Sequence, residues 1–456
     1  MITGRVVGVL SRDLRNMVAQ VTQSISNDLC LAYPVDSRLP GTLLITSGLD
    51  KYLNKKIVIS LDTWIPGSKH PFGHIVRVIG PALDPKTEAA AILFEHQVET
   101  RPFSQKVLDC LPPDDWTIPP EEEARRWDLR GENVCSVDPP GCRDIDDALH
   151  SKILENGNWE LGVHIADVTY YVKPDSWIDR EAAHRCTTVY LVDRRTDMLP
   201  KLLTEVLCSL REKVDRLAFS VIWEVDPKTM RVVKTKFGKS IIHSRAALTY
   251  QMAYDRITNK EDSTAVTQSL RRLLKFSKIL KQRRNEQGAL TLASTQLKFK
   301  LESRGNEATR PSDMSLYTLL PTNSMIEEFM LLANITVARE IVGKFPASGI
   351  LRKHSSPKPE MIKQFSGLLK KMGFALDYSS NKSLAESLDS IHRKDDPMFN
   401  KLVRILTTRC MHEAVYFCSA DFDESEYRHY GLATDIYTHF TSPIRRYADV
   451  GFFSFF

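Results

Sequence analysis

The chain has 456 residues, of which 42% are hydrophobic and 26% charged. These proportions exclude a disordered, fibrous or collagen-like chain and indicate a globular protein of several domains. Lysine and arginine total 62 against 57 acidic residues, and this small excess permits nucleic-acid binding without requiring it. No run of about 20 uncharged apolar residues occurs, and the first residues lack a signal-peptide core, so we expect a soluble protein with no membrane partner.

Short strand-like segments separated by turn residues follow one another through residues 4–80. In chain order they read GRVVGVL, LCLAYPVD, TLLITSG, KKIVISLDTWIPG and GHIVRVIG. This pattern predicts a small OB or cold-shock β-barrel over residues 1–100, a fold that often binds single strands. Side chains there that could stack on bases or contact phosphates are Tyr33, Tyr52, Lys55, Lys56, Trp64 and Arg77. A purely structural barrel is the alternative.

Residues 101–130 differ in composition, with repeated prolines and an acidic run at 121–123, and we interpret them as a linker. A second domain then covers 131–456. Its segments ENVCSVD and NWELGVHIADVTYYV predict strands and REAAHR a helix, while 264–284, 323–343 and 397–419 predict long helices. Strands followed by long helices indicate an α+β class. The helix over 264–284 is strongly basic, and an RNA-facing role and a solvated structural face are equally compatible with it.

Four carboxylates fall within ten residues directly after an apolar strand. They are Asp138, Asp144, Asp146 and Asp147. Pro139, Pro140 and Gly141 interrupt this stretch and exclude a helix, so we expect the acids on a shaped turn at a strand end. Like charges at this density repel unless a cation neutralises them, and hard oxygen ligands favour Mg²⁺. Divalent ions held this way suit phosphodiester hydrolysis.

Two other interpretations of this stretch were weighed. An EF-hand calcium loop starting at Asp144 would place Ala148 where an oxygen ligand is needed and Leu149 where the turn requires glycine. An exposed turn of solvated aspartates is the remaining alternative. His150 and His164 lie close by in sequence, and we expect them to serve the core or to support the acids rather than to ligate a metal.

Phosphoryl chemistry also requires cations that hold phosphate oxygens. The segment THFTSPIRRY supplies Arg445 and Arg446, and an arginine fork pairs with phosphate bidentately. A structural ion pair is the alternative for each arginine. Glu327 and Glu328 are expected to open a helix, where an acid can simply complement the helix dipole.

A set of motifs in fixed order gives the chain a family resemblance. They are DPPGCRDIDDALH, GVHIADV, TTVYLVDRRTDMLP, LCSL, VDRLAFS, GAL, EEFMLLAN and HYGLATDIYTHFTSPIRRYAD. The chain resembles the ribonuclease II (RNB) family over essentially its whole length, and most of all the branch that serves the eukaryotic RNA exosome. Residues 1–100 are similar to the second cold-shock domain of that branch.

The resemblance implies Mg²⁺-dependent 3′-to-5′ hydrolysis of single-stranded RNA to nucleoside 5′-monophosphates, with Mn²⁺ as an alternative cation. It implies that Asp138, Asp144, Asp146 and Asp147 form the acidic metal site, that Asp146 is indispensable, and that Arg445 grips the scissile phosphate. Further RNA contacts implied by the resemblance are Tyr190, which stacks on terminal bases, and Tyr250, Phe299, Glu328 and Arg446. It also implies the exosome core as a partner, and the nucleus, nucleolus and cytoplasm as compartments.

The chain departs from the family pattern at both ends. The family continues beyond RRYAD with further helices and an OB-type domain, whereas this chain ends in VGFFSFF. The PIN nuclease domain and first cold-shock domain, which carry most of the exosome-docking surface, do not precede residue 1. We therefore expect a truncated catalytic domain with reduced activity and doubtful exosome attachment. A catalytically impaired RNA-binding fragment, and a phosphodiesterase acting on DNA or small nucleotides, are the alternatives.

Overall fold

The computed structural model describes residues 4, 7–8, 15–26, 28–48, 51–292, 297–304, 307–316 and 319–453. The chain divides into two compact units. The smaller unit comprises residues 1–102 with 189–196 and 301–311, and the larger unit comprises 103–188, 197–300 and 312–456.

The strands and helices are numbered in chain order. The strands are β1 (Met17–Ser26), β2 (Leu29–Pro34), β3 (Thr42–Ile45), β4 (Lys55–Thr63), β5 (Phe72–Pro81), β6 (Trp127–Leu129), β7 (Cys135–Asp138), β8 (Asp147–Ile153), β9 (Trp159–Ala166), β10 (Val189–Tyr190), β11 (Arg195–Thr196), β12 (Asp215–Asp226), β13 (Arg231–His243), β14 (Ala246–Thr249), β15 (Leu297–Arg304), β16 (Glu307–Leu316), β17 (Ile350–Lys353) and β18 (Val415–Cys418). The helices are α1 (Pro85–Glu95), α2 (Gln105–Leu108), α3 (Pro120–Glu123), α4 (Trp177–Arg185), α5 (Tyr250–Thr258), α6 (Ala265–Glu286), α7 (Pro321–Lys344), α8 (Pro359–Lys371), α9 (Asn381–Ser390), α10 (Phe399–Arg409) and α11 (Tyr447–Phe453). No helix in these described ranges has the length and apolar character to cross a membrane.

The smaller unit contains the predicted barrel. Its strands close in the order β1-β2-β3-β5-β4 around a buried core that includes Val21, Leu44 and Ile57. Strand β1 was not predicted, because two register irregularities against β2 break its alternation of apolar and polar residues. In the predicted first strand, 4–10, only residues 4 and 7–8 are described, and they form no strand.

The larger unit is built on a seven-stranded sheet in the order β14-β7-β8-β9-β12-β13-β6. Its central strands are antiparallel, while β14 pairs with β7 and β6 with β13 in parallel. The main core joins sheet residues such as Val163 and Phe219 to Leu273 of α6 and Phe329 of α7. The predicted α+β class is therefore confirmed.

Residues 101–130 are more ordered than a linker. Residues 103–130 belong to the larger unit, and β6 pairs with β13 at the edge of its sheet. Arg126 is buried, and its guanidinium donates to Asp167 at 2.7 Å and to Glu122 at 2.6 Å. This packing could not be predicted from composition, because exposed linkers are also rich in proline and charged residues.

Two of the three long predicted helices form as expected, as α6 and α7. The third prediction is wrong in its second half, because α10 ends at Arg409 and β18 follows and pairs with β17. The short apolar run VYFC suits a strand as well as a helix, and only its partner strand decides. Glu327 and Glu328 do not open α7, since that helix begins at Pro321 and both acids lie in its interior.

The basic side chains of α6 are largely engaged within the protein. Arg272 donates to the hydroxyl and the carbonyl of Ser151, both at 3.0 Å, and Arg283 donates to the carbonyl of Met230 at 2.6 Å. The ammonium of Lys275 lies 5.3 Å from the centre of the Trp159 ring. These contacts favour the structural interpretation of this helix.

Candidate active site

The four aspartates lie on one loop of the larger unit. Strand β7 ends at Asp138, and β8 begins at Asp147. Between them the chain turns at Pro139 and Pro140, with the amide of Cys142 donating to the carbonyl of Pro139. Gly141 has a φ of +81°, a conformation that residues with a Cβ rarely adopt. We call residues 138–147 the acidic loop, and it confirms the turn expected from the sequence.

Asp138 stands at the carboxyl end of β7, in register with Thr249 of the parallel strand β14. Burial raises the pKa of its carboxyl to about 6, and the charge of Asp144 adds to the rise. Its Oδ2 is buried, and no donor in the described part of the chain lies within hydrogen-bonding reach of it. A carboxylate oxygen in this state is costly unless a cation or a proton satisfies it.

Asp146 is 5% exposed and is held by a turn nearly 300 residues away. Its Oδ1 accepts from the amide of Ile444 at 2.9 Å, and its Oδ2 lies 3.3 Å from Nε of Arg445. Burial raises the pKa of this carboxyl to about 7, while Arg445 opposes the rise. The structure therefore brings together Asp146 and Arg445, two residues that the sequence analysis placed in one site.

Asp147 and Asp144 complete the loop. Burial raises the pKa of Asp147 well above its usual range, and the charges of Asp138 and Asp146 raise it further. Asp144 is half-buried, with its Oδ1 3.9 Å from the thiol of Cys142. The negative charges of these aspartates therefore repel one another and raise the pKa values of Asp138 and Asp147, because the carboxylates are close together and poorly solvated.

These residues fit a hard divalent cation by their donor chemistry. All four offer carboxylate oxygens, and the buried Oδ2 of Asp138 has no other partner in the described chain. In the described ranges no three Asp, Glu, His or Cys side chains converge tightly enough to hold a metal by themselves. A divalent ion at this loop would therefore need waters or substrate phosphate oxygens to complete its ligands.

The three aromatic residues predicted to contact RNA lie in three different elements of the fold. Tyr190, in β10 of the smaller unit, has a side chain 52% exposed. Tyr250 begins α5 directly after Thr249, the register partner of Asp138, so its backbone lies near the acidic loop. Phe299 falls in β15, and its side chain lies outside the described residues. Their roles in RNA binding stay predictions.

Glu328 and Arg446 are each paired within the protein. Glu328 is 3% exposed, and its carboxylate accepts from the guanidinium of Arg284 at 2.5 Å. Arg446 donates from Nη2 to Asp449 at 2.7 Å. The Arg446 contact matches the structural ion pair that was its alternative. Glu328 instead pairs with Arg284 inside α7, not at a helix start as its alternative required. Direct RNA contact by either residue stays a prediction.

A buried histidine pair and two residues beside Arg445 and Arg446 complete the description of the site. His150 and His164 are fully buried, with Nδ1 of one 2.8 Å from Nε2 of the other, and they belong to the core as expected. Asp449 and Ser442 were not singled out from the sequence, although they hold the turn over residues 442–446, which we call the arginine turn. The only available signal was the three-residue spacing from Arg446 to Asp449 inside a helix start.

A cold-shock type barrel preceding an α+β unit, whose acidic loop is held against an arginine turn, defines a ribonuclease II-type architecture. The chain belongs to the RNB family. Residues 126–451 match the RNB domain, and residues 29–97 match the Dis3-like cold-shock domain 2.

Curated relatives cover nearly all of this chain. It is 48% identical over 98% of its length to the exosome complex exonuclease RRP44 homolog A of Arabidopsis thaliana, and 46% identical over 98% to the exosome complex exonuclease dis3 of Schizosaccharomyces pombe. The matches cover 48% and 47% of those proteins. The chain therefore spans about half the length of the curated relatives it matches.

Solved structures share the fold. RNase R of Mycoplasma genitalium, in complex with ribose-methylated single-stranded RNA, matches with a TM-score of 0.78 at 24% identity, over 98% of this chain and 69% of that one. Yeast Ssd1, described as a pseudonuclease, matches with a TM-score of 0.76 at 25% identity, over 98% of this chain and 55% of that one. One fold thus serves a ribonuclease and a pseudonuclease, so activity must be argued from the site.

Proposed function

We propose that the chain is a 3′-to-5′ exoribonuclease that hydrolyses single-stranded RNA to nucleoside 5′-monophosphates in RNA processing and decay. The observation that carries this proposal is the contact of Asp146 with Ile444 and Arg445. A guanidinium beside the acidic loop supports binding of a phosphate there. The exonuclease names of relatives 46–48% identical to the chain support it.

The arginine turn orients the side chains of Arg445 and Asp146. Arg445 donates Nη2 to the hydroxyl of Ser442 at 2.8 Å and Nε to Asp146, which fixes the plane of its guanidinium. Its side chain is still 43% exposed, so its remaining N–H groups can meet the non-bridging oxygens of a phosphate. Asp146, held through both oxygens, keeps a constant orientation beside that phosphate.

The acidic loop supplies oxygen donors and negative potential. RNB exoribonucleases generally depend on a divalent metal. We propose Mg²⁺ here, with Mn²⁺ as an alternative. One or two of the carboxylates of Asp138, Asp144, Asp146 and Asp147 would hold the ion, and waters and substrate phosphate oxygens would complete its ligands. A bound divalent ion would supply activation of the attacking water and charge stabilisation for the leaving oxygen. Water adds to phosphorus and the bond to O3′ of the preceding nucleotide breaks, so the released nucleotide keeps its 5′-phosphate.

The names of the relatives support the proposed partners. The relatives' names place them in the exosome complex, so we propose single-stranded RNA as substrate and the exosome core as a partner. The nucleus, nucleolus and cytoplasm are the proposed compartments.

A second candidate is an RNA-binding protein without turnover. Two observations favour it: the likeness to Ssd1, and the absence of three converging metal-ligating side chains in the described residues.

Chromatography of the products decides between the two. Purified chain with Mg²⁺ should release nucleoside 5′-monophosphates from single-stranded RNA and at least tenfold less product from matched DNA or from dinucleotides. The Asp138→Asn variant should release none while binding RNA with unchanged affinity. RNA binding in EDTA, with no product under any metal condition, would establish the second candidate, and preference for DNA or dinucleotides would indicate a different phosphodiesterase.

A further inference from the structure

Asp449 is a buried carboxylate that the proposed chemistry does not use directly. Its side chain is fully shielded from solvent. Oδ1 accepts two hydrogen bonds, from the amide of Ser442 at 2.7 Å and from Nη2 of Arg446 at 2.7 Å. Oδ2 is buried, and no donor in the described chain reaches it. Burying a charge is energetically unfavourable, so a buried carboxylate with one unpartnered oxygen indicates a specific role.

The hydrogen bonds of Asp449 lead into the arginine turn. The carbonyl of Ser442 accepts from the amides of Arg445 and Arg446 at 3.2 and 3.0 Å. Its hydroxyl accepts from Nη2 of Arg445 at 2.8 Å. Asp449 therefore holds the start of the turn, while Asp146 holds its middle through Ile444 and Arg445.

We propose that Asp449 is a positioning residue: through Ser442 it fixes the arginine turn so that the guanidinium of Arg445 stays beside Asp146 and faces the scissile phosphate. This inference rests on the proposed function for its catalytic consequence. It assigns Arg446 to holding Asp449 in place.

The pattern of hydrogen bonds favours positioning over simple stabilisation. An arginine–carboxylate pair built for stability usually engages both carboxylate oxygens in parallel. Here one oxygen takes both bonds, one of them from a backbone amide of the turn, while Oδ2 of Asp449 and Nε of Arg446 are buried without partners among the described residues. The hydrogen bonds of Asp449 thus hold the backbone of the arginine turn, and they leave the ion pair with Arg446 incomplete.

A double-mutant cycle tests the proposal. Asp449→Asn should lower the single-turnover rate of RNA hydrolysis at least tenfold and change RNA affinity less than threefold. In an Arg445→Ala background the same substitution should change the rate less than twofold, because its effect passes through Arg445. Equal effects of Asp449→Asn in both backgrounds would overturn the proposal.

A matched control separates positioning from loss of stability. Asp167 is also fully buried and accepts from an arginine, Arg126, at 2.7 Å, and from the hydroxyl of Thr169 at 2.7 Å, neither of which belongs to the arginine turn. Asp167→Asn should lower the melting temperature at least as much as Asp449→Asn does and leave the rate within threefold. A tenfold rate loss in both variants would identify a general structural effect and overturn the proposal.

Crystal structures give a readout that needs no activity. In Asp449→Ala the Nε of Arg445 should lie more than 4 Å from Oδ2 of Asp146, against 3.3 Å in the unaltered chain. An unmoved arginine turn would refute the proposal even if the unaltered chain hydrolyses RNA. If that chain does not hydrolyse RNA, the proposed function fails, and the same pair of structures still decides whether Asp449 positions Arg445.

Discussion

Nε of Arg445 lies 3.3 Å from Oδ2 of Asp146, although the two residues are 299 positions apart in the sequence. Asp146 is buried, and burial alone favours its neutral form, whereas the guanidinium favours the carboxylate. The contact therefore joins the acidic loop to the arginine turn and keeps a cation at the edge of a crowded anionic space.

Substitution of Arg445 should damage catalysis more than binding. Arg445→Ala should lower the rate of hydrolysis about 100-fold, or on the order of 3 kcal/mol, because a charge-assisted contact to the reacting phosphate is lost. Arg445→Lys should recover less than a tenth of that loss, since lysine lacks the planar fork. Single-turnover kinetics measure both. Arg409→Ala, an exposed arginine at the end of α10, should change the rate less than twofold, and an equal loss there would contradict a specific role.

The raised pKa of Asp138, about 6, links stability to pH. Between its unfolded pKa of about 3.9 and 6 the folded state binds more protons than the unfolded state, so stability falls as pH rises through this window. The metal-free Asp138→Asn variant should therefore be more stable than the unaltered chain at pH 8, by about 3 kcal/mol, and within about 0.5 kcal/mol of it at pH 4.

Comparison with the variant is necessary because other groups act in the opposite direction. Burial lowers the pKa of His164 well below its usual range, so its contribution to stability is lost as pH falls below about 6.5. The melting-temperature difference between the two proteins, measured calorimetrically in EDTA, isolates Asp138. A difference that does not change from pH 4 to pH 8 would contradict its raised pKa.

Divalent ions should stabilise the protein through the acidic loop. At a metal concentration about 100 times Kd, binding adds roughly 2.7 kcal/mol, which raises the melting temperature measurably. Mg²⁺ and Mn²⁺ should both produce this rise in the unaltered chain at pH 8, and neither should in Asp138→Asn. Asp395→Asn, an exposed aspartate before α10, serves as the control and should keep the full rise. An equal rise in all three proteins would place the metal elsewhere.

Gly162 should tolerate no side chain. Gly162 pairs with His150 across β9 and β8, and a Cβ at Gly162 would lie 2.2 Å from the His150 ring. Gly162→Ala should therefore destabilise the chain by about 3 kcal/mol, because the buried histidine pair must move. Gly343→Ala, in α7 with open space around it, should instead stabilise by up to about 1 kcal/mol. Denaturant unfolding measures both, and similar effects of the two substitutions would refute this packing.

The basic helix α6 should matter for stability more than for RNA binding. Arg272→Met removes two hydrogen bonds to Ser151 and should cost about 1–2 kcal/mol, with RNA affinity changed less than twofold. Lys278→Met, at an exposed position of the same helix, should leave stability unchanged. A fivefold loss of RNA affinity in Arg272→Met at full stability would indicate an RNA-facing helix instead.

Much of the site could be predicted from the sequence because its signals are local. Two prolines and a glycine between an apolar strand and a set of aspartates already define a turn, and the acidic loop forms as expected. The segment 264–284 likewise predicts a long helix from its own residues, and α6 forms there over Ala265–Glu286.

What the sequence did not predict depends on contacts between distant residues. The burial of Arg126 depends on Asp167, 41 residues later, and β18 depends on pairing with β17. The sequence also gives no sign that Asp449 holds Ser442. In each case the residue or segment could lie either in solvent or in the protein interior. Which of these it does depends on a residue or strand far away in the sequence.

The proposed hydrolysis can be tested by incubating the purified chain with 5′-labelled single-stranded RNA in Mg²⁺, beside an EDTA reaction and the Asp146→Asn variant, and resolving the products on a sequencing gel. We expect a ladder that shortens from the 3′ end to a short final product and is absent from both controls. Intact RNA in the presence of folded, metal-loaded protein would contradict the proposed hydrolysis.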